Sequence, residues 1–212
     1  MAYNTEKHHR RSIRLQGYDY SQAGMYFVTI CCNNKACLFG EIVDNEMVLN
    51  DAGKIVERWY YELENKFPDL RCCEMVVMPN HLHCIINNVG NIDNIGNVVG
   101  ADLRVCPNNT MGEHNNTMCE HNIEGEHNIE GEHIGSPLHR VVQWFKTMTT
   151  NEYIRGIKNL GWQPFVGKLW QRNYYEHIIR NDESYCKIAE YIENNPGRWN
   201  EDKFYYGNNY DI

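Results

Sequence analysis

Two histidines one residue apart, His81-Leu82-His83, sit in a run over residues 73–86 that reads as β-strand. Side chains alternate faces along a strand, so the two imidazoles point one way and Leu82 the other. Such a pair can grip one divalent ion and leave positions open for substrate. The same pattern also suits two plain surface histidines on an edge strand. Pro79-Asn80 predicts a turn just ahead of the pair. A second chemical feature lies in the last predicted helix, where Tyr191 and Asn195 are four apart and share a face. Asn195 precedes Pro196, which disfavours the α region there and loosens that geometry. A phenol is a weak nucleophile at its free pKa of about 10. Beside a metal-polarised phosphate it becomes able to attack a phosphodiester, leaving a phosphotyrosine and a free hydroxyl. That keeps the bond energy available for rejoining. The helix alone is equally consistent with Tyr191 as one of 14 tyrosines packed on a core.

Several elements must position these groups. Residues 25–31 are rich in β-formers and read as a buried strand. Residues 37–42 and 47–49 read as a hairpin around Asp44-Asn45. Asn50 or Asp51 can cap a helix to about residue 67, with Ile55, Trp59, Tyr60 and Leu63 at helical spacing and Pro68 as its stop. Strands follow at about 71–78 and 81–87. A helix over about 137–155 turns Leu138, Val141, Val142, Phe145, Met148 and Tyr153 to the core, with His139, Arg140, Lys146 and Thr147 on its polar face. Residues 165–175 form an aromatic, basic and strand-like run. A last helix spans about 182–194, with Asp182 as N-cap and Pro196-Gly197 as its stop.

The chain of 212 residues fits one domain, with a net charge of −8. Residues 89–135 hold eight of the acids and one base. The remainder is close to neutral and keeps a positive N-terminus, so a basic face for nucleic acid is not excluded. In the same segment a short unit recurs: Gly112-Glu113-His114-Asn115, Cys119-Glu120-His121-Asn122, Gly125-Glu126-His127-Asn128 and Gly131-Glu132-His133. Its Gly, Asn and Glu content cannot bury a core, which predicts an extended or disordered insertion. Metal binding by the repeat is the other reading. We expect a basic arm at 1–20, one domain at 21–200 interrupted by 89–135, and a tail at 201–212 that docks or frays. No apolar run of about 20 residues predicts a membrane span. Residues 1–15 are polar and basic, unlike a secretory signal. Nine cysteines without a CxxC pair argue against a zinc ribbon and for a reduced, cytoplasmic setting.

Three motifs in order carry a resemblance: Met78-Pro79-Asn80-His81-Leu82-His83; Leu169-Trp170-Gln171-Arg172-Asn173-Tyr174-Tyr175-Glu176-His177-Ile178-Ile179-Arg180; and Tyr191-Ile192-Glu193-Asn194-Asn195-Pro196. With Arg10-Arg11-Ser12-Ile13-Arg14-Leu15 and Tyr26-Phe27-Val28-Thr29, the chain resembles the REP-associated tyrosine transposases. These are a branch of the single-tyrosine transposases with a His-hydrophobe-His motif. The likeness covers nearly the whole chain outside 89–135.

The resemblance implies an α+β fold, ferredoxin-like or RRM-like, with a central antiparallel sheet and helices on one face. It implies Tyr191 as nucleophile, and His81, His83 and Asn195 as ligands of Mg²⁺ or Mn²⁺. Tyr174 and Tyr175 lack an amide partner one helical turn away; with Trp170 they suit base stacking or core packing. Arg172 and Arg180 suit phosphate contacts, and His177 suits either a phosphate contact or bracing of the site. Arg10, Arg11 and Arg14 would carry the basic arm onto DNA. The expected partner is single-stranded DNA with imperfect palindromes that fold as hairpins, cleaved and rejoined through a 5′-phosphotyrosine; a homodimer is compatible with this. The alternative is a domesticated, non-catalytic binder of DNA hairpins. A third reading is a metal-storage protein that uses the histidine repeat.

Overall fold

The computed structural model describes residues 18–90 and 135–205. The arm carrying Arg10, Arg11 and Arg14 and the repeat histidines lie outside these residues. β-Branched and aromatic residues build β1 (Gly24–Cys31), β4 (Leu70–Met78), β5 (His81–Asn88) and β6 (Tyr175–Ile179). They form one antiparallel sheet in the order β4-β5-β1-β6. With α1 (Asp51–Lys66) after β1 and α2 (Leu138–Leu160) after β5, the core is βαββαβ, the ferredoxin-like α+β class expected from the sequence. A hairpin of β2 (Gly40–Val43) and β3 (Glu46–Leu49) precedes α1. Its turn residues Asp44 and Asn45 both take positive φ, 51° and 66°. That backbone twist matches the twist of a two-residue hairpin.

Alternation divides the sheet into two faces. Tyr26, Val28, Ile30, Leu82, Cys84 and Ile86 face α1 and α2, which supply Val56, Tyr60, Leu63, Val141, Val142 and Phe145. Met25, Ile85 and Ile179 face the other way and would lie open to water. There α3 (Asp182–Glu193) covers them with Tyr185 and Ile192. The expectation of helices on one face therefore holds for α1 and α2, whereas α3 lies on the opposite face. His81 and His83 share that second face.

Caps and ends differ in detail from the sequence reading. Asn50 caps α1, its side chain accepting from the Gly53 amide at 2.9 Å. Asn181 rather than Asp182 caps α3, accepting from the Ser184 amide at 2.8 Å. α2 runs past residue 155 to Leu160 and stops at Gly161, whose φ of 69° gives the left-handed C-terminal turn. The run 165–174 is irregular, and strand begins only at Tyr175. The tail docks through residue 205. After a 3-10 turn at Pro196–Glu201, Trp199 and Phe204 bury against Cys31 and Met78. Burying two such rings is worth about 1.5–3 kcal/mol each, which offsets part of the cost of ordering the segment. Among the described residues no helix is long and apolar enough to cross a membrane.

Gly53 is where α1 touches the chain before the hairpin. An added Cβ would meet the Phe39 carbonyl oxygen at 2.2 Å. Alanine favours helix by about 1 kcal/mol, but overpacking against backbone costs about 1–3 kcal/mol. Gly53→Ala is expected to lower Tm by up to about 8 °C, a net cost of up to about 2 kcal/mol at about 2–4 °C per kcal/mol for a chain of this size. A thermal melt with unchanged or raised Tm would show that α1 has room to shift.

Both ends of the long connection between β5 and α2 meet on Asp69. The Val89 amide donates to the Asp69 carbonyl at 2.8 Å, and Ser136 donates its hydroxyl to Asp69 Oδ1 at 2.8 Å and its amide to Oδ2. Asn88 Nδ2 donates to the Ser136 carbonyl at 3.2 Å. These bonds hold the two ends side by side. Replacing residues 91–134 with a short Gly/Ser linker is expected to leave Tm within a few degrees. A loss above about 10 °C would mean that the segment packs on the body.

Candidate metal and tyrosine site

β5 is a central strand, flanked by β4 and β1, with His81 opposite Met78 on one side and Cys31 on the other. This rules out the edge-strand alternative for the histidine pair. Both imidazoles are buried, at 0% and 1% exposure. Burial holds both well below the usual histidine range. His81 is pushed to about 2, with further lowering by His83 and Lys203; His83 is pushed to about 3, with further lowering by Lys203. Both rings are thus neutral, the form that binds metal.

The protons on these rings follow from their neighbours. Asn80 Nδ2 donates to the Lys35 carbonyl at 3.1 Å and to the Phe204 carbonyl at 2.9 Å. This turns Asn80 Oδ1 toward His81 Nδ1, 2.8 Å away. That oxygen only accepts, so His81 carries its proton on Nδ1 and leaves Nε2 bare. His83 Nδ1 lies 2.8 Å from the Thr29 hydroxyl, which is able to accept and leave the second Nε2 bare as well. The two Nε2 atoms are 3.0 Å apart. Two nitrogens this close could both reach one divalent ion held between them.

Oxygen donors complete the set. The Asp202 carboxylate approaches His81 Nε2 at 4.0 Å, and His81, His83 and Asp202 each offer a ligand atom within 4.8 Å of the others. Asn195 is buried at 2%, and its Nδ2 lies 3.5 Å from Asp202 Oδ2. Its Oδ1 has no hydrogen-bond partner among the described residues. A buried amide oxygen left unpaired costs about 1–3 kcal/mol, and a cation would satisfy it. Despite the following proline, Asn195 adopts the α region (φ −61°, ψ −41°), with Pro196 opening the 3-10 turn. Burial of the side chain overrides the local preference. These two imidazoles, one carboxylate and one amide oxygen are compatible with a divalent metal.

Tyr191 projects from α3 over this cluster. Its hydroxyl is 3.2 Å from His83 Nε2, yet the residue is 37% exposed, unlike a core tyrosine. Burial raises its pKa and the Asp202 charge adds to this, while a hydrogen bond from Asn195 pulls the other way. Phe27 stacks on His83 at 5.4 Å between centroids and meets the Tyr191 ring edge-on at 6.1 Å. On the far side the Phe204 ring is 4.7 Å from that of His81.

The other sequence candidates separate. Trp170 and Tyr174 are core residues, and the Trp170 indole donates to the Thr149 hydroxyl at 2.8 Å. Tyr175 is exposed, 6.3 Å from the Phe204 ring. His177 is exposed on β6 and pairs with Phe27, which places it on the site's face of the sheet. Arg180 is exposed just beyond β6, and Arg172 is exposed before it, away from the histidines. Asp202, Asn80 and Thr29 were not found from sequence. Asn80 stood inside the quoted motif, next to His81. Asp202 lay in a tail with no periodicity, one of two adjacent acids, with Glu201, between Trp199 and Phe204.

No family model matches the chain. A protein of Haemophilus influenzae strain Rd, known only as an uncharacterized protein, is 39% identical over 203 residues, covering 96% of this chain and 97% of its own length. The chain belongs to the same family as that protein. Among solved structures, a REP-associated tyrosine transposase bound to a REP hairpin aligns over 88% of this chain and 73% of its own, at 16% identity and a TM-score of 0.47. A candidate transposase from Deinococcus radiodurans R1 aligns over 86% and 97%, at 12% identity and a TM-score of 0.39. The first of these bears the group name that the sequence motifs resemble. Likenesses at this level carry no function by themselves.

Proposed function

We propose that this chain is a metal-dependent endonuclease and strand-transfer enzyme acting on hairpin-bearing single-stranded DNA. The observation that carries this is the Tyr191 hydroxyl standing 3.2 Å from His83 Nε2, itself 3.0 Å from His81 Nε2. A half-exposed tyrosine hydroxyl thus adjoins a buried, bare imidazole pair, which supports the reading of Tyr191 as nucleophile. His81, His83, Asp202 and Asn195 would hold Mg²⁺ or Mn²⁺, the two imidazoles suiting manganese and the oxygens either ion. The bound ion supplies Lewis-acid polarisation of the scissile phosphate and stabilises the departing oxygen.

The chain's own groups do the rest. Asn80 and Thr29 fix the imidazole orientations. Phe27 holds His83 and Tyr191 in mutual register. Tyr191 Oη attacks phosphorus; the bond to the 3′ oxygen breaks, giving a 5′-phosphotyrosine and a 3′-OH. The phenolic proton leaves toward water on the exposed side of the ring, and the Asn195 hydrogen bond favours the phenolate. Attack by a 3′-OH from a second strand end reverses the step and releases Tyr191. The test is incubation with a hairpin oligonucleotide in Mg²⁺ or Mn²⁺. A protein–DNA adduct that survives denaturing electrophoresis is expected; hydrolysis without an adduct would remove the mechanism.

The N-terminal arm would add sequence-independent affinity. Each phosphate contact contributes a salt slope of about −0.7 for single strands. Changing Arg10, Arg11 and Arg14 to alanine is expected to weaken binding and flatten the slope by up to about two units. An identical slope would mean that the arm lies away from DNA.

A further inference from the structure

On the helical face of the sheet, α2 and residues 165–174 enclose a groove of about 850 Å³. It is lined in part by Gln143, Lys146, Thr147, Asn151, Lys168 and Arg172. Among the described residues no acid lines it, although the chain carries 28 acids to 20 bases. Lys146 Nζ donates to the carbonyls of Gln171 at 2.8 Å and Asn173 at 3.1 Å, which pins the segment against α2. Its amino group is thus held in the groove wall, with no acid beside it among the described residues, and burial lowers its pKa to about 8. Lys168 and Arg172 are exposed and have no ion-pair partner among the described residues.

The segment that walls the groove runs along β1, whose other face carries the tyrosine site. The Gln171 amide donates to the Cys31 carbonyl at 2.8 Å, and Cys31 stands opposite His81 in the sheet. Four residues on, Tyr175 pairs with Thr29, the residue that orients His83. A strand held at Tyr191 must leave the pocket on both sides of the scissile phosphate. On one side it would reach this segment by passing around the edge formed by β1 and β6.

We propose that the groove between α2 and residues 165–174 is a track for the single-stranded DNA flanking the hairpin, gripping its phosphodiester backbone through Lys168 and Arg172. This rests on the strand-transfer reading above. The groove has room for a few nucleotides of single strand and is too small for a duplex. The neutral amides and hydroxyls of Gln143, Thr147 and Asn151 suit phosphate oxygens and base edges along such a track.

The test uses the full chain carrying Tyr191→Phe, so that binding is read without turnover. Three fluorescent probes are titrated by anisotropy: a DNA hairpin with a single-stranded tail, the same hairpin without a tail, and a poly-glutamate peptide. Lys168→Ala with Arg172→Ala is expected to weaken binding of the tailed hairpin about tenfold and to lower its salt slope by about 1.4, two contacts at about 0.7 each. Binding of the untailed hairpin should be unchanged. Thr147→Trp fills the groove without altering charge and should weaken tailed-hairpin binding too. Unchanged affinity in both variants, with DNA still bound, would overturn the track and leave the tyrosine site untouched. Equal losses on both hairpins would overturn it as well. A larger loss for poly-glutamate than for DNA would make the groove a site for acidic peptides. Failure of the Tyr191→Phe protein to bind any DNA would remove the reading on which the track rests.

Discussion

Replacing Tyr191 by phenylalanine is expected to abolish the covalent protein–DNA adduct while leaving DNA affinity within about twofold. Only one oxygen is removed. The ring that packs edge-on against Phe27 and over His83 remains, so neither the fold nor the pocket should change. The two tyrosines of the preceding motif are not placed to substitute for that oxygen. Tyr174 is buried under Lys146, and Tyr175 points its exposed ring toward Lys203 and Phe204. Mass spectrometry of a nuclease-trimmed adduct from the unaltered protein gives the decisive reading. A nucleotide found on Tyr174 or Tyr175 would refute Tyr191 as the nucleophile.

His81→Ala and His83→Ala should each reduce cleavage by more than about a hundredfold, since loss of even an outer partner of a metal ligand costs about 10–100-fold. Two readouts separate metal loss from misfolding. Calorimetric titration with Mn²⁺ should show one site in the unaltered chain and none in either variant. The melting temperature should fall only modestly. His81→Ala strands the Asn80 oxygen that now accepts from the ring, a penalty of about 1–3 kcal/mol. The Thr29 hydroxyl beside His83 is able to rotate, so His83→Ala should be the milder of the two. Deleting residues 112–133 should leave the Mn²⁺ site intact; loss of several tight sites on that deletion would instead favour metal storage by the repeat. Cleavage that persists in both histidine variants under a chelator would end the metal role.

Much of this arrangement was legible in the sequence because it rests on short-range periodicity. The two-residue alternation put His81 and His83 on one face, and the four-residue spacing put Tyr191 near Asn195. Asp44-Asn45 and Asn50 marked a turn and a cap through their own side-chain chemistry. What stayed hidden depended on which surfaces meet across the fold. α3 crosses to the second face because Met25, Ile85 and Ile179 need cover, and no local pattern records that. Asp202 reaches the histidines because Trp199 and Phe204 anchor the tail on either side of it. The contribution of Asn80 depends on two backbone carbonyls, those of Lys35 and Phe204, that lie far from it in sequence.

The clamp on Asp69 has a bearing on how such a chain can change over generations. Closing a flexible connection costs only about 0.6 kcal/mol more for each doubling of its length. With Val89 fastened to the backbone carbonyl of Asp69 and Ser136 to its carboxylate, the ends of β5 and α2 are held together whatever number of residues runs between them. Tandem duplication in the coding repeat can therefore lengthen or shorten this stretch in steps without a threshold in stability. Relatives of this protein should vary in length most freely at this point, while the spacing from Asp69 to Asn88 and from Ser136 to Asp202 stays nearly constant.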